Sequence, residues 1–396
     1  MKVIGRAHDS FWYLSELFQV PLPLLVDSNC QIAENESLLA KEIDIPGYIT
    51  AEYTVQDEES IDSIASKLNI DVEILKLLNK DDNLLQLKKN TKILIPKRIT
   101  DPIVNGRQNY SYETMMEHIR LLEEIYPFMK RNTIGISVQG KEIPELIIGY
   151  GRKKVHMNGS FHANEWITTA ILMALLNDYL LSITNKTKLR GIHTEELYYS
   201  TTLSIVPMVN PDGVNLVLKG PPQDQKYRQF VLALNNGNDD FSGWKANING
   251  VDLNKQFPAL WEIEKPRKPK QPAPRDFPGY EPLTEPEAIA MAKLTKERKF
   301  DRVIAFHTQC KEIYWGFDDK QPPYAEVIVS EMAKQSGYLP VKTLDSYAGY
   351  KDWFIYEWKK PGFTVELGEG VNPLPISQFT DIYNDSLGLF LACLYM

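Results

Sequence analysis

Apolar and polar positions along the chain fall into distinct local patterns, and each predicts an element. Tyr53-Thr54-Val55 reads as a strand, and Ser60-Ile61-Asp62-Ser63-Ile64-Ala65-Ser66-Lys67-Leu68 reads as an amphipathic helix opened by a capping serine. Asp71–Leu78 reads as a second short helix, with Asp71 at its start, and Lys92-Ile93-Leu94-Ile95-Pro96 as a closing strand ended by proline. The predicted unit is therefore β-α-α-β. Further along, Lys154–Asn158 reads as a short strand, Gly159 as a turn and Trp166–Leu181 as a long apolar helix. The apolar runs Val303-Ile304-Ala305-Phe306 and Phe363-Thr364-Val365 read as buried strands.

The front of the chain repeats. Ser10 and Ser60, Phe11 and Ile61, Leu14 and Ile64, Asn29 and Asn79, and Pro46 and Pro96 all stand 50 residues apart. The first copy is degenerate. It lacks a clean opening strand, yet His8-Asp9-Ser10-Phe11 and Ile43-Asp44-Ile45-Pro46 keep the frame. The pattern resembles the lysin motif (LysM), a module that binds glycans containing N-acetylglucosamine, so such a glycan is an implied partner. The alternative is a pair of small α+β units that only steady the rest. The expected divisions are residues 1–49 and 50–99 for the two modules and 105–396 for one larger domain.

Polar residues of one chemical kind sit where the larger domain's elements end. His162 and Glu165 lie between the strand Lys154–Asn158 and the long helix, and His307 and Glu366 follow the two apolar runs. A lone His-x-x-Glu spacing arises often by chance, but a strand-to-helix junction is a usual place for chemistry in α/β proteins. Two histidines and one carboxylate leave a fourth position open on a tetrahedral zinc, as catalysis requires. Glu366 is then expected to be the general base that activates water.

His162-x-x-Glu165, Pro207-Met208-Val209-Asn210-Pro211-Asp212-Gly213, Gly250-Val251-Asp252-Leu253-Asn254, His307 and Glu366 come in the order found in zinc carboxypeptidases. The resemblance runs roughly from Tyr110 to Met396. It implies one Zn2+ held by His162, Glu165 and His307, with Glu366 as base; carboxypeptidase A is a known case of that ligand set. It also implies an α/β fold, a mixed twisted sheet flanked by helices. Several positions depart from the digestive members. Their Asn-Arg pair, which grips a terminal carboxylate, reads Asn254-Lys255 here. Lysine keeps the charge but loses the planar two-pronged grip. Their oxyanion arginine reads Lys245, and a lysine still offers a point charge there. Their substrate tyrosine is matched by Tyr347, slightly out of register before Gly349-Tyr350-Lys351-Asp352-Trp353. Asn254 is also readable as a turn residue only. These changes argue against efficient cleavage of protein C-termini.

The combination of front modules and peptidase-like domain resembles the bacterial γ-D-glutamyl-diamino acid endopeptidases. That resemblance implies hydrolysis of the γ-D-glutamyl-diaminopimelate bond in peptidoglycan stem peptides. A metallocarboxypeptidase or amide hydrolase on other small peptides is the alternative enzyme. A cell-wall binding protein with a decayed peptidase domain is the alternative from another class.

Composition trims the options further. The chain has 396 residues and a net charge of −8, which speaks against a general nucleic-acid surface. Its three cysteines are scattered, so neither a disulfide framework nor a cysteine metal site is indicated; Cys310 is expected to pack rather than to ligate. His156 and His193 are expected to be structural or surface residues, and Asn-Pro-Asp-Gly a turn. Lys2 and Arg6 are followed by no sustained apolar run, so no signal peptide is expected. No segment is expected to approach the ~20 apolar residues of a membrane span. The expected location is the cytoplasm, or association with spore or cell wall. The basic, proline-rich stretch from Lys265 to Pro282 is expected to be a solvated loop, with attraction of anionic wall polymer as a further option.

Overall fold

The computed structural model describes residues 1–33, 36–79, 84 and 87–396. The chain forms two compact units. The first comprises Met1–Ile103, Ile119–Lys130 and Asn177–Glu195, and the second Val104–His118, Arg131–Leu176 and Glu196–Met396. Residues 119–130 and 177–195, assigned by sequence to the larger domain, therefore pack with the front modules. Hydrogen bonds join them to the modules. Arg98 donates to Asn185 Oδ1 at 2.7 Å and to the Thr184 carbonyl at 3.2 Å, and Gly47 N–H donates to the Ile125 carbonyl at 2.7 Å.

Both repeats of the first unit are β-α-α-β. In the first, the strand Lys2–Ile4 pairs antiparallel with Glu42–Asp44, and the helices Phe11–Phe18 and Leu22–Ser28 lie between them in sequence. The opening strand that the sequence did not reveal is thus Lys2–Ile4; three residues are too few to display an alternation. In the second, Tyr48–Thr54 pairs antiparallel with Lys92–Arg98 around the helices Ile61–Leu68 and Val72–Leu78. The expected boundary between residues 49 and 50 falls inside that first strand. Pro96 lies within the closing strand, opposite Thr50, rather than at its end. A two-stranded sheet has only edges, and an edge tolerates a residue without an N–H.

The repeat is visible in hydrogen bonds as well as in residues. Asn29 Nδ2 donates to the carbonyls of Leu25 and Asp44, and Oδ1 accepts from Asp44 N–H. Asn79 Nδ2 donates to the carbonyls of Leu75 and Leu94, and Oδ1 accepts from Leu94 N–H. Every partner is displaced by the same 50 residues. In each module this one amide ties the second helix to the closing strand.

The second unit is built on an eight-stranded mixed sheet. Its order is Leu339–Val341, Glu312–Tyr314, Gly362–Leu367, Arg302–Thr308, Lys153–Asn158, Thr201–Val206, Glu142–Ile148 and Lys130–Ile136. The four central strands, Gly362–Leu367 to Thr201–Val206, are mutually parallel, and their outer neighbours on both sides run antiparallel to them. All seven residues of Arg302–Thr308 are buried, which explains why that strand reads as continuous rather than alternating apolar sequence. The helix Ile167–Thr184 corrects one expectation. Together with the turn before it, the segment Ala163–Thr184 is long and apolar enough to cross a membrane by length and composition, but 89% of its apolar window is buried inside the protein. A helix that is apolar all round must be covered on every side, and here protein covers it.

Candidate active site

Strand register assembles the centre. His307 and Glu366 are paired positions on adjacent parallel strands, so their side chains leave one face of the sheet side by side. Each is the last residue but one of its strand, Arg302–Thr308 and Gly362–Leu367. The neighbouring strand Lys153–Asn158 delivers the other two groups through a tightly held loop. Gly159 N–H donates to the Val206 carbonyl, and the Gly159 carbonyl accepts from Val209 N–H at 3.0 Å. A Cβ on Gly159 would meet the Pro207 carbonyl, Leu172 and Thr168 at 3.0 Å, so only glycine fits without displacement. His162 then opens the short 3-10 turn Ala163–Glu165, which sets His162 and Glu165 on one side.

Three ligand atoms converge. His162 Nδ1 lies 2.8 Å from Glu165 Oε1 and 3.1 Å from His307 Nδ1, and His307 Nδ1 lies 2.9 Å from Glu165 Oε2. All three residues are buried, and their ligand atoms lie within 4.8 Å of one another. Two imidazole lone pairs aimed at one point repel, and a divalent cation coordinated by both removes that repulsion. The nitrogen, nitrogen and oxygen donor set suits zinc. Burial alone would raise the Glu165 carboxyl, but His162 and then His307 hold it well below the usual carboxylate range. Burial, and next the charge of Glu165, push Glu366 well above that range, against the pull of Lys245.

Asp252 is the functional residue that sequence reasoning passed over. Its Oδ1 stands 3.3 Å from His162 Nε2, the ring nitrogen facing away from the ligand cluster, and its Oδ2 stands 3.6 Å from Lys245 Nζ. The carboxyl is fully buried; Lys245 first and His162 next overcome the cost of burial and hold it ionised. A carboxylate behind a ligand histidine fixes the ring's tautomer and orientation. The sequence offered only a weak signal, its place in Gly250-Val251-Asp252-Leu253-Asn254. Asp252→Asn is expected to weaken metal affinity about 10- to 100-fold, measured by competition with a chelator. Unchanged affinity would reduce Asp252 to a partner of Lys245 alone.

The remaining predicted residues divide. Lys245 is brought to the centre through Asp252, and its side chain is 18% exposed. Asn254 Oδ1 accepts from Tyr350 N–H at 3.0 Å, which leaves its amide nitrogen as a donor. Lys255 does not serve as a free carboxylate anchor. Its Nζ is buried, 2.6 Å from Glu264 Oε1, and it also donates to Ser346 Oγ and to the Tyr347 carbonyl. Tyr347 packs its ring edge-on to Phe317 and beneath Arg267, and its described contacts do not include the His-Glu-His cluster.

Other expectations are corrected nearby. Asn-Pro-Asp-Gly opens the helix Pro211–Lys219: Asn210 caps it through Gly213 N–H, and Pro211 takes the first turn. Asn210 Nδ2 also donates to the carbonyls of Phe161 and Ala246, joining the His162 loop to the Lys245 segment. The proline-rich stretch is not a solvated loop throughout. The Pro274 carbonyl accepts from both Lys245 and Ala246 N–H at 2.9 Å, and the Phe277 carbonyl accepts from Asp252 N–H at 2.7 Å. Its basic end is occupied as well: Arg267 pairs with Asp345 at 2.8 Å, and Lys268 lies 3.4 Å from Glu264. Cys310 is exposed rather than packed. His156 is a buried structural residue, stacked on Phe300 and bonded to Ser204.

The model of the zinc carboxypeptidase family matches residues 115–386. The chain belongs to the zinc carboxypeptidase family. It is thus a metallopeptidase by descent. A LysM domain model matches residues 53–96, the second repeat. The chain is 52% identical to gamma-D-glutamyl-L-diamino acid endopeptidase 1 of Lysinibacillus sphaericus over 396 residues, the whole of both chains. It is 42% identical to the uncharacterized protein YqgT of Bacillus subtilis (strain 168) over 368 residues, covering 86% of this chain and 98% of that one. Among solved structures, bovine thrombin-activatable fibrinolysis inhibitor in complex with tick carboxypeptidase inhibitor shares the fold, with a TM-score of 0.56 and 21% identity. That match covers 73% of this chain and 97% of the other.

Proposed function

We propose that this protein hydrolyses the amide bond between the γ-carboxyl of D-glutamate and a diamino acid in peptidoglycan stem peptides. The observation that carries the reading is the full-length likeness to an endopeptidase named for that bond, with a LysM match at the front and a convergent His-Glu-His cluster behind it. One zinc ion at His162, Glu165 and His307 would polarise the amide carbonyl and acidify water. Glu366 takes the proton from the attacking water and returns one to the leaving amine. Lys245 faces the negative charge that develops on the carbonyl oxygen, and Asp252 keeps both Lys245 and His162 in place. Asn254 offers its amide nitrogen to a substrate oxygen. The LysM module binds N-acetylglucosamine-containing glycan, which raises the local concentration of stem peptide without altering the centre.

Mass spectrometry of products from L-Ala-γ-D-Glu-diaminopimelate tests the reading directly. Release of L-Ala-D-Glu and free diaminopimelate by the zinc-loaded chain is the expected result. No cleavage with zinc confirmed in the site, or faster cleavage of protein C-termini, would overturn it.

A further inference from the structure

Substrate carboxylates need a cation, and the lysine expected to supply it is taken. Lys255 is neutralised by buried Glu264, and Lys245 stands between Asp252 and Asp276, 3.6 Å from each. The next cation outward is Arg275. Its side chain is 60% exposed, and its only ion pair among the described residues runs through Nε to Asp276 Oδ2 at 3.3 Å. The outer nitrogens of the guanidinium thus remain as a planar two-pronged donor. From the ligand His162 outward, charges of alternating sign lead to this arginine: Asp252, Lys245, Asp276, Arg275.

The backbone that carries Arg275 is fixed at both ends. Ala273 N–H donates to the Gly250 carbonyl, the Pro274 carbonyl accepts from Lys245 and Ala246, and the Phe277 carbonyl accepts from Asp252. Asp276 adopts a left-handed backbone, φ 66°, which turns its carboxylate toward Lys245 within this short span. The arm therefore presents a cation and an anion side by side, at the edge of the centre.

We propose that Arg275 and Asp276 form a specificity arm that recognises the distal amino-acid centre of the diamino acid. Arg275 takes its carboxylate and Asp276 its ammonium. This rests on the proposed function, because it assumes a diamino acid on the leaving side of the bond. The proximal centre carries no such zwitterion, since its amine is part of the scissile amide. Diaminopimelate has a carboxylate on the distal carbon and lysine lacks it. The arm thus selects diaminopimelate over lysine.

The test uses the full zinc-loaded chain and two peptides, L-Ala-γ-D-Glu-meso-diaminopimelate and L-Ala-γ-D-Glu-L-lysine. Wild type is expected to prefer the first in kcat/KM. Arg275→Ala is expected to cut that preference about tenfold or more through KM, with a much smaller change on the lysine peptide, and Arg275→Lys to restore part of it. Calorimetric binding of both peptides to Glu366→Gln, with and without Arg275→Ala, reads the same preference without turnover. A preference unchanged by Arg275→Ala, or equal losses on both peptides, would overturn the arm. If wild type cleaves neither peptide, the proposed function fails, and the calorimetric ratio alone still decides whether Arg275 reads the distal carboxylate.

Discussion

Glu366→Gln is expected to lower kcat/KM by about a thousandfold, with metal content and melting temperature at wild-type values. A positioned general base contributes about 10²- to 10⁴-fold, and glutamine keeps the shape and polarity of the side chain but cannot hold the transferred proton. Glu366 is paired with His307 on the adjacent strand and is not among the three converging ligands, so its replacement leaves the cluster intact. Metal analysis of the purified variant together with steady-state kinetics separates the two effects. A loss smaller than tenfold with metal in place would remove Glu366 from the base role.

Lys255→Met is expected to act on stability rather than on substrate. Removing one partner of a buried ion pair strands the other, at about 3–5 kcal/mol. The loss here should fall near about 3 kcal/mol, because Arg267 and Lys268 still stand 3.4 Å from Glu264. Chemical denaturation should show that loss, and peptide KM at a temperature where the variant is folded should hardly move. A raised KM with unchanged stability would return Lys255 to substrate binding.

How much of this was legible in the sequence depends on what each feature leaves in the residue pattern. His162, Glu165, His307 and Glu366 were legible because each adjoins an apolar run that must be a strand or a buried helix, and strand ends gather at one edge. The second module was legible through Ser60, whose cap the structure shows in full with Ser63. The fate of Lys255 was not. Its partner Glu264 lies nine residues on, in a segment whose only visible traits were charge and proline. The pinning of Ala273–Phe277 was hidden for a different reason: backbone groups make it, and they are the same in every residue. The strand Lys2–Ile4 was too short to alternate, and the two-unit division depends on long-range packing of 119–130 and 177–195, which no local pattern encodes.

The pairing of His307 with Glu366 has an implication for how this enzyme can change. Side chains along a strand alternate faces with a period of two, so slipping the Gly362–Leu367 strand by one residue would turn Glu366 to the far side rather than shift it slightly. The face that position 366 presents is therefore digital: a one-residue slip loses it outright. Sequence drift cannot tune it by small steps, whereas the Arg275 arm, hung from three carbonyl contacts outside the sheet, can be rewritten residue by residue. Chemistry and selectivity sit on parts of the fold that evolve at different grain.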